Sequence, residues 1–347
     1  MKKSRIAYGL ALAAAACCLL AAAPARAEQV KILVAERYAD DLRGLTKQYS
    51  NLQIVSFSSA EDVMSEIGDA DGIISPSMRH GMDAIVKAGK KLRWVQTMSA
   101  GVERHLAYPS IRDAEFTLTN AKIVQGPQIA DHAMALLLNH TRDLKHYNEQ
   151  MKVGFRRQNN LPQIELRGKT MLIIGLGGIG TQISERAFAF GMRVIAVDPK
   201  DIPFTRAVEY VGKPDQLDDL LPEADVVVSS VPHTRESEGM LGAEQFALMK
   251  DGVYVINVSR GKIVDTEALT AVLKSGKVRA AGLDVTDPEP LPSDHPLWSM
   301  PNVTITPHIA GQSDNIRQRR LRLFTENIER LMTGRPLRNV VIKKRGY

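Results

Sequence analysis

Residues 171–198 read MLIIGLGGIGTQISERAFAFGMRVIAVD, and the fold of the whole chain is decided by how this stretch is read. Four apolar residues, Met171 to Ile174, predict a buried strand running straight into Gly175-Leu176-Gly177-Gly178-Ile179-Gly180. Ile179, Ile183, Ala187 and Phe190 then recur at a spacing that puts them on one helical face. Gly191 stops that helix, Arg193 to Val197 form a second apolar strand, and Asp198 closes the unit 18 residues past the last glycine. A G-x-G-x-x-G alone says little. Between a strand and a helix, with an acid at that distance, it meets the requirements of a dinucleotide-binding βαβ unit.

Each part has a physical task. Gly175 permits the tight turn, Gly177 lets backbone N–H groups approach a pyrophosphate, and Gly180 lets helix and strand pack closely. Gly178 and Ile179 belong to the same cofactor-binding loop, and the helix that follows turns its unpaired N–H groups and positive dipole end toward that anion. Asp198 is expected to accept hydrogen bonds from ribose hydroxyls and to repel a 2′-phosphate, which predicts NAD as the cofactor. Lys200 and Arg206 lie close enough in sequence to keep NADP as the alternative.

Residues 1–27 stand apart from the fold. Lys2, Lys3 and Arg5 precede an alanine-rich apolar stretch, Ile6 to Ala23, and Ala25-Arg26-Ala27 forms an A-x-A site. This pattern predicts a secretory signal peptide cut before Glu28, and hence a periplasmic protein. An uncleaved membrane anchor is the alternative. The leader has no twin arginine, so export by the general route is expected. Losing Lys2, Lys3, Arg5 and Arg26 takes the formal net charge from +6 to +2, so no nucleic-acid partner is expected. Cys17 and Cys18 leave with the leader, and no metal site is expected in the mature chain. Nor does the mature chain contain another stretch apolar enough to span a membrane.

The remaining 320 residues suffice for two domains with substantial cores. Val30 to Val34, Leu52 to Phe57, Gly72 to Ile74, Leu92 to Thr97 and Phe116 to Thr119 read as short buried strands. Helical segments such as Ala60 to Ile67 and Met82 to Ala88 alternate with them. This predicts a parallel α/β domain that ends near residue 118. From Ile129 to Leu144 runs a helix apolar on more than one face, expected to be buried against several partners.

After Asp198 the strands share one feature. Asp225 to Val231 ends at Pro232-His233-Thr234, and Val253 to Val258 ends at Ser259-Arg260-Gly261. Ala280 to Val285 contains Asp284 and leads to Glu289-Pro290, and Val303 to Thr306 ends at Pro307-His308. In a doubly wound sheet, ligands bind outside the carboxyl ends of the strands. Polar groups of catalytic type gather at those ends.

The residues at these ends also match a family pattern. Asn257-Val258-Ser259-Arg260-Gly261, Leu283-Asp284-Val285 through Asp287-Pro288-Glu289-Pro290, and Thr306-Pro307-His308-Ile309-Ala310-Gly311 resemble the signatures of NAD(P)-dependent D-2-hydroxyacid dehydrogenases. His295-Pro296-Leu297-Trp298 and Ser99-Ala100-Gly101-Val102 are similar to further members of the set, and order and spacing agree across nearly the whole mature chain. The resemblance implies α/β architecture with two doubly wound parallel-sheet domains. One is a flavodoxin-like, discontinuous substrate domain (28–118 and 311–347), the other a Rossmann NAD(P)-binding domain (119–310). It also implies a homodimer, and a reaction exchanging a hydride with C2 of a small 2-keto or 2-hydroxy acid.

Roles follow from the same resemblance, and chemistry supports them. His308 suits the general acid or base, because imidazole titrates near neutrality. Glu289 would orient that ring and favour its charged form. Arg260 offers a planar fork to the substrate carboxylate, and the Ser99-Ala100-Gly101 turn would add backbone N–H groups. Val231, Pro232, Asp284, His308 and Gly311 would border the cofactor. His233 stands where the family pattern expects an apolar residue, His80, Arg79 and His105 fall near the expected cleft wall, and Arg317, Arg319, Arg320 and Arg322 read as a solvated helical face. The export signal is a departure from a family that works in the cytosol, and it leaves a competing expectation: a dinucleotide-binding sensor without turnover.

Overall fold

The computed structural model describes residues 28–77, 80–154 and 163–347. The expected leader, residues 1–27, and Arg79 lie outside them. Two parallel sheets form the molecule. The first contains β1 (Val30–Ala35), β2 (Leu52–Phe57), β3 (Gly72–Ile74), β4 (Trp94–Gln96) and β5 (Thr117–Thr119), in the order β2-β1-β3-β4-β5. The second contains β6 (Thr170–Ile174), β7 (Arg193–Val197), β8 (Tyr210–Gly212), β9 (Val226–Ser229), β10 (Val253–Asn257), β11 (Val278–Leu283) and β12 (Val303–Ile305), in the order β12-β11-β10-β9-β6-β7-β8. All pairings within both sheets are parallel.

Parallel sheets carry helices on both faces, so their strands must be apolar throughout rather than alternating. Every residue of β1, β6, β9 and β10 is buried accordingly. The strand order of the second sheet reverses between β6 and β9, and that switch point opens the crevice where the fold binds ligands. The edge strand β8 is absent from the sequence reading, because Tyr210 is exposed and the run is too short to show a pattern.

The first core joins β1 to β5 with Leu323, Phe324 and Ile328 of the helix Ile316–Met332 and with Val341 near the end of the chain. Tyr38 meets Phe324 edge-on, with ring centroids 5.2 Å apart. Two further cores flank the second sheet. The helix Gly126–Thr141 starts three residues earlier than its apolar pattern, with a proline in its first turn, where a missing N–H costs nothing. It buries Ile129, Ala130, Ala133, Met134, Leu136 and Leu137. On it, His140 is held well below the usual imidazole range, at about 4, chiefly by burial and then by the nearby Lys145 charge. Among the described residues, no helix is long and apolar enough to cross a membrane.

Candidate active site

The glycine loop leaves β6 with Gly175 at φ +91°, a conformation that side chains rarely adopt. A Cβ on Gly180 would sit 2.0 Å from the Gly175 carbonyl oxygen, so helix and loop touch only because that side chain is missing. A Cβ on Gly177 would meet nothing within 4 Å, and the loop is open on the side where its N–H groups approach a ligand. Gly178 instead makes room for Ile123, and Ile179 packs partly buried against the second core. Asp198, at the end of β7, is 7% exposed. Its carboxylate accepts from the Leu176 N–H (2.8 Å) and the Lys200 N–H (2.8 Å), leaving a further lone pair on each oxygen. The Lys200 ammonium lies over the Tyr347 ring and the Arg206 guanidinium over that of Phe188. These residues fit an NAD(P) pyrophosphate and ribose: an open glycine cradle, a helix N-terminus and a carboxylate beside it.

The other polar groups stand at neighbouring strand ends. Beyond β10, Asn257 fixes the turn by donating to the Arg260 carbonyl (2.9 Å) and accepting from the Ser259 N–H (3.1 Å). Arg260 donates from Nε to Glu103 Oε1 (2.6 Å) and from Nη1 to the Ser259 carbonyl (2.7 Å). Its Nη2 occupies the space a side chain on Gly101 would need, 1.7 Å from where that Cβ would be. Arg260 and the Ser99–Val102 turn, one from each sheet, are thereby in contact. Burial drives the Glu103 carboxyl upward, but the adjacent Arg260 charge and hydrogen bond overcome this and hold it below its ordinary value.

In the Ser99–Val102 turn, the Ser99 hydroxyl donates to the Gly101 carbonyl (2.7 Å) and the Ala100 N–H donates to Gln125 Oε1 (3.2 Å). Ala100 thus has its donor engaged by the protein itself, and Ser99, Gly101 and Val102 carry the N–H groups of the turn left over among the described residues. Gln125 Nε2 also lies close to Gly311, whose carbonyl accepts from Gln128 Nε2 (2.9 Å).

At the end of β12 the backbone turns sharply at His308, with φ +53°. Asp284, 2% exposed, holds this turn from below. Its Oδ1 accepts from the Thr306 hydroxyl (2.6 Å) and the Ile309 N–H (3.0 Å), and its Oδ2 from the Ala310 N–H (3.0 Å). The Asp284 carbonyl accepts from the His308 N–H (2.9 Å). Behind Thr306, His132 Nε2 lies 2.8 Å from the threonine hydroxyl. The His308 imidazole faces outward, with Nδ1 2.8 Å from Glu289 Oε1.

Val231 packs against Gly175, Pro232 is exposed beside it, and His233 pairs with Glu238 at 3.1 Å. His105 is buried and His80 accepts from the Ser77 N–H, so neither imidazole stands free in the cleft. The reading of a solvated arginine face needs correction. Arg317 pairs with Asp41, and Arg319 donates to Gln128 Oε1 (2.8 Å) with its Nε buried. Arg317 and Arg322 remain exposed, while Arg319 and Arg320 are half-buried. The sequence reading did not name Glu103, Gln125, Thr306 and His132 as site residues. Glu103 stands directly after a quoted turn, which was the available signal; the others are visible only once the helix Gly126–Thr141 is packed.

Comparison with known proteins now bears on the site. The profile of the D-isomer specific 2-hydroxyacid dehydrogenase NAD binding domain matches residues 134–310. A D-3-phosphoglycerate dehydrogenase from Archaeoglobus fulgidus is 33% identical over 313 residues, 90% of this chain and 59% of that protein. A hydroxypyruvate reductase from Blautia hydrogenotrophica is 34% identical over 296 residues, 83% of this chain and 90% of that one. A crystal structure of a D-isomer specific 2-hydroxyacid dehydrogenase family protein from Aeromonas salmonicida superimposes with a TM-score of 0.78 at 30% identity, covering 91% of this chain and 99% of that chain. The chain belongs to the D-isomer specific 2-hydroxyacid dehydrogenase family. It spans only 59% of the length of the phosphoglycerate dehydrogenase it matches.

Proposed function

We propose that this chain is a working oxidoreductase that exchanges a hydride between NAD(P)H and C2 of a small 2-keto or 2-hydroxy acid, with glyoxylate and hydroxypyruvate as the first candidates. One observation carries the reading: the His308–Glu289 pair, 2.8 Å apart, stands at a strand end of the same sheet that presents Arg260. The nicotinamide, when bound, supplies or accepts the hydride. The residues do the rest.

Glu289 accepts the Nδ1–H of His308, which turns Nε2 toward the substrate, where it can give a proton to the keto oxygen or take one from the hydroxyl. Arg260 uses the N–H groups not engaged by Glu103 and Ser259 to clamp the carboxylate. The Gly101 and Val102 N–H groups add to that clamp. Asp284 keeps the His308 turn in place through its bonds to Thr306, Ile309 and Ala310. A sensor without turnover has no need to keep Arg260, Glu289 and His308 together.

The Asp198 carboxylate at the ribose end favours NAD, since a 2′-phosphate there would meet a fixed negative charge. The leader-like segment at residues 1–27 supports export of the mature chain to the periplasm. Family resemblance supports a homodimer. The test is direct: purified mature chain, NADH or NADPH, and a panel of 2-keto acids including glyoxylate and hydroxypyruvate. The reading expects cofactor oxidation with at least one of them, faster with NADH. Cofactor binding without turnover on any member of the panel rejects it.

A further inference from the structure

Glu103 has no place in the reaction just described, yet it makes the shortest contact that Arg260 has. A guanidinium carries five N–H bonds in a rigid plane. In Arg260, Nε is held by Glu103 Oε1 at 2.6 Å, and one Nη1–H by the Ser259 carbonyl at 2.7 Å. The two anchors flank the guanidinium on opposite sides, because Nη1 stands on the Cδ side and the Nε–H points away from it. The remaining corner, Nη2, is pressed against Gly101, whose missing side chain leaves the space it shares with Glu103 Oε2. The two anchors together therefore fix the guanidinium plane with Nη2 toward the turn.

We infer that Glu103 is a positioning residue: by capturing Nε its carboxylate fixes the Arg260 guanidinium so that the remaining N–H groups meet the substrate carboxylate at the Gly101 turn. The inference rests on the proposed role of Arg260 as the carboxylate clamp. A plain bridge between the two sheets is the competing account. Two features speak for positioning. The pair stands beside the turn that carries the remaining N–H groups, and the bond leaves from Nε, the donor whose capture fixes the plane without occupying the fork.

The experiment measures binding as well as rate. Oxamate, a non-reducible analogue of glyoxylate, is titrated into the NADH-loaded protein while the reduced nicotinamide's fluorescence is followed, and kcat/KM is measured with the best keto acid. Replacing Glu103 by Ala is expected to weaken oxamate binding and lower kcat/KM, each by about 30-fold, the scale of a hydrogen bond to a charged group. NADH affinity should stay within twofold of wild type. Glu103→Gln, which keeps an acceptor at the same reach, should lose less. In an Arg260→Lys background, Glu103→Ala should cost nothing further, because the group it positions is gone. Oxamate binding unchanged by Glu103→Ala, or strengthened by it, overturns the inference, as does an equal loss in the Arg260→Lys background. Oxamate binding that depends on Glu103, in a protein that reduces no keto acid, would sink the dehydrogenase reading and leave this inference intact. A wild-type NADH complex that ignores oxamate overturns both.

Discussion

Nδ1 of His308 lies 2.8 Å from Oε1 of Glu289, and the two come from separate loops 19 residues apart in sequence. The pair is reachable from solvent, with side-chain exposures of 43% and 34%. The backbone beneath it is not loose. His308 stands at φ +53°, a conformation that persists only where the surroundings over-determine it, and here a buried carboxylate supplies that constraint. An exposed acid–base group on a fixed turn is an arrangement suited to meeting a substrate that enters and leaves.

Asp284 is the first place to test this. Asn in its position keeps the size but turns one acceptor into a donor, which would face an N–H or hydroxyl now bonded to it. Leaving such buried donors unpaired costs about 1–3 kcal/mol. Asp284→Asn should therefore lower the unfolding free energy by about that amount in a denaturant titration. It should also lower kcat more than it weakens NADH binding, because the turn that carries His308 relaxes.

Gly101 gives a cleaner separation of substrate from cofactor. A methyl group there would overlap Arg260 Nη2, which Glu103 keeps from swinging away. Gly101→Ala is expected to shift the fork by about 1 Å and lower kcat/KM for the keto acid about 100-fold, since misplacement on that scale costs roughly that much. NADH affinity, measured by fluorescence titration, should not change. Loss of both together would place Gly101 in the cofactor cleft instead.

How far the sequence could be read divides along local and distant contacts. The glycine turn, the helix behind it and Asp198 are neighbours within one βαβ unit, so spacing alone carries them. The signature segments around Arg260, Glu289 and His308 are likewise contiguous runs. What could not be read depends on chain segments far apart. Glu103 meets Arg260 across 157 residues, and Arg319 reaches Gln128 across 191. A run of arginines looks solvated until the helix is docked. The acceptor that engages the Ala100 N–H, Gln125, lies 25 residues on and is brought there by the packing of the following helix. The strand Tyr210–Gly212 was hidden for another reason: an edge strand buried on one side and only three residues long carries no periodicity.

His140 predicts a pH dependence of stability distinct from the pH dependence of rate. Its imidazole titrates at about 4 in the folded protein, with burial the main cause, against an ordinary value of 6.5. Between those values the unfolded chain binds a proton that the folded chain refuses, so stability rises with pH across the interval and is lost as pH falls from 6.5 toward 4. One proton corresponds to at most about 1.4 kcal/mol per pH unit. His140→Gln should therefore show a smaller fall in Tm between pH 7 and pH 5 than wild type, measured on the same buffers. An unchanged fall would mean that His140 is not the group responsible.

We propose that His308 moves the proton and, although it borders the cofactor, contributes little to holding it. The most direct test is a side-by-side measurement of kcat and NADH affinity in wild type and His308→Ala, with whichever 2-keto acid the wild type reduces. A fall in kcat of about 10²- to 10⁴-fold is expected, the range for loss of a general acid, with NADH affinity nearly intact. A variant that still turns over at a comparable rate, or one that loses NADH in step with its activity, would contradict it.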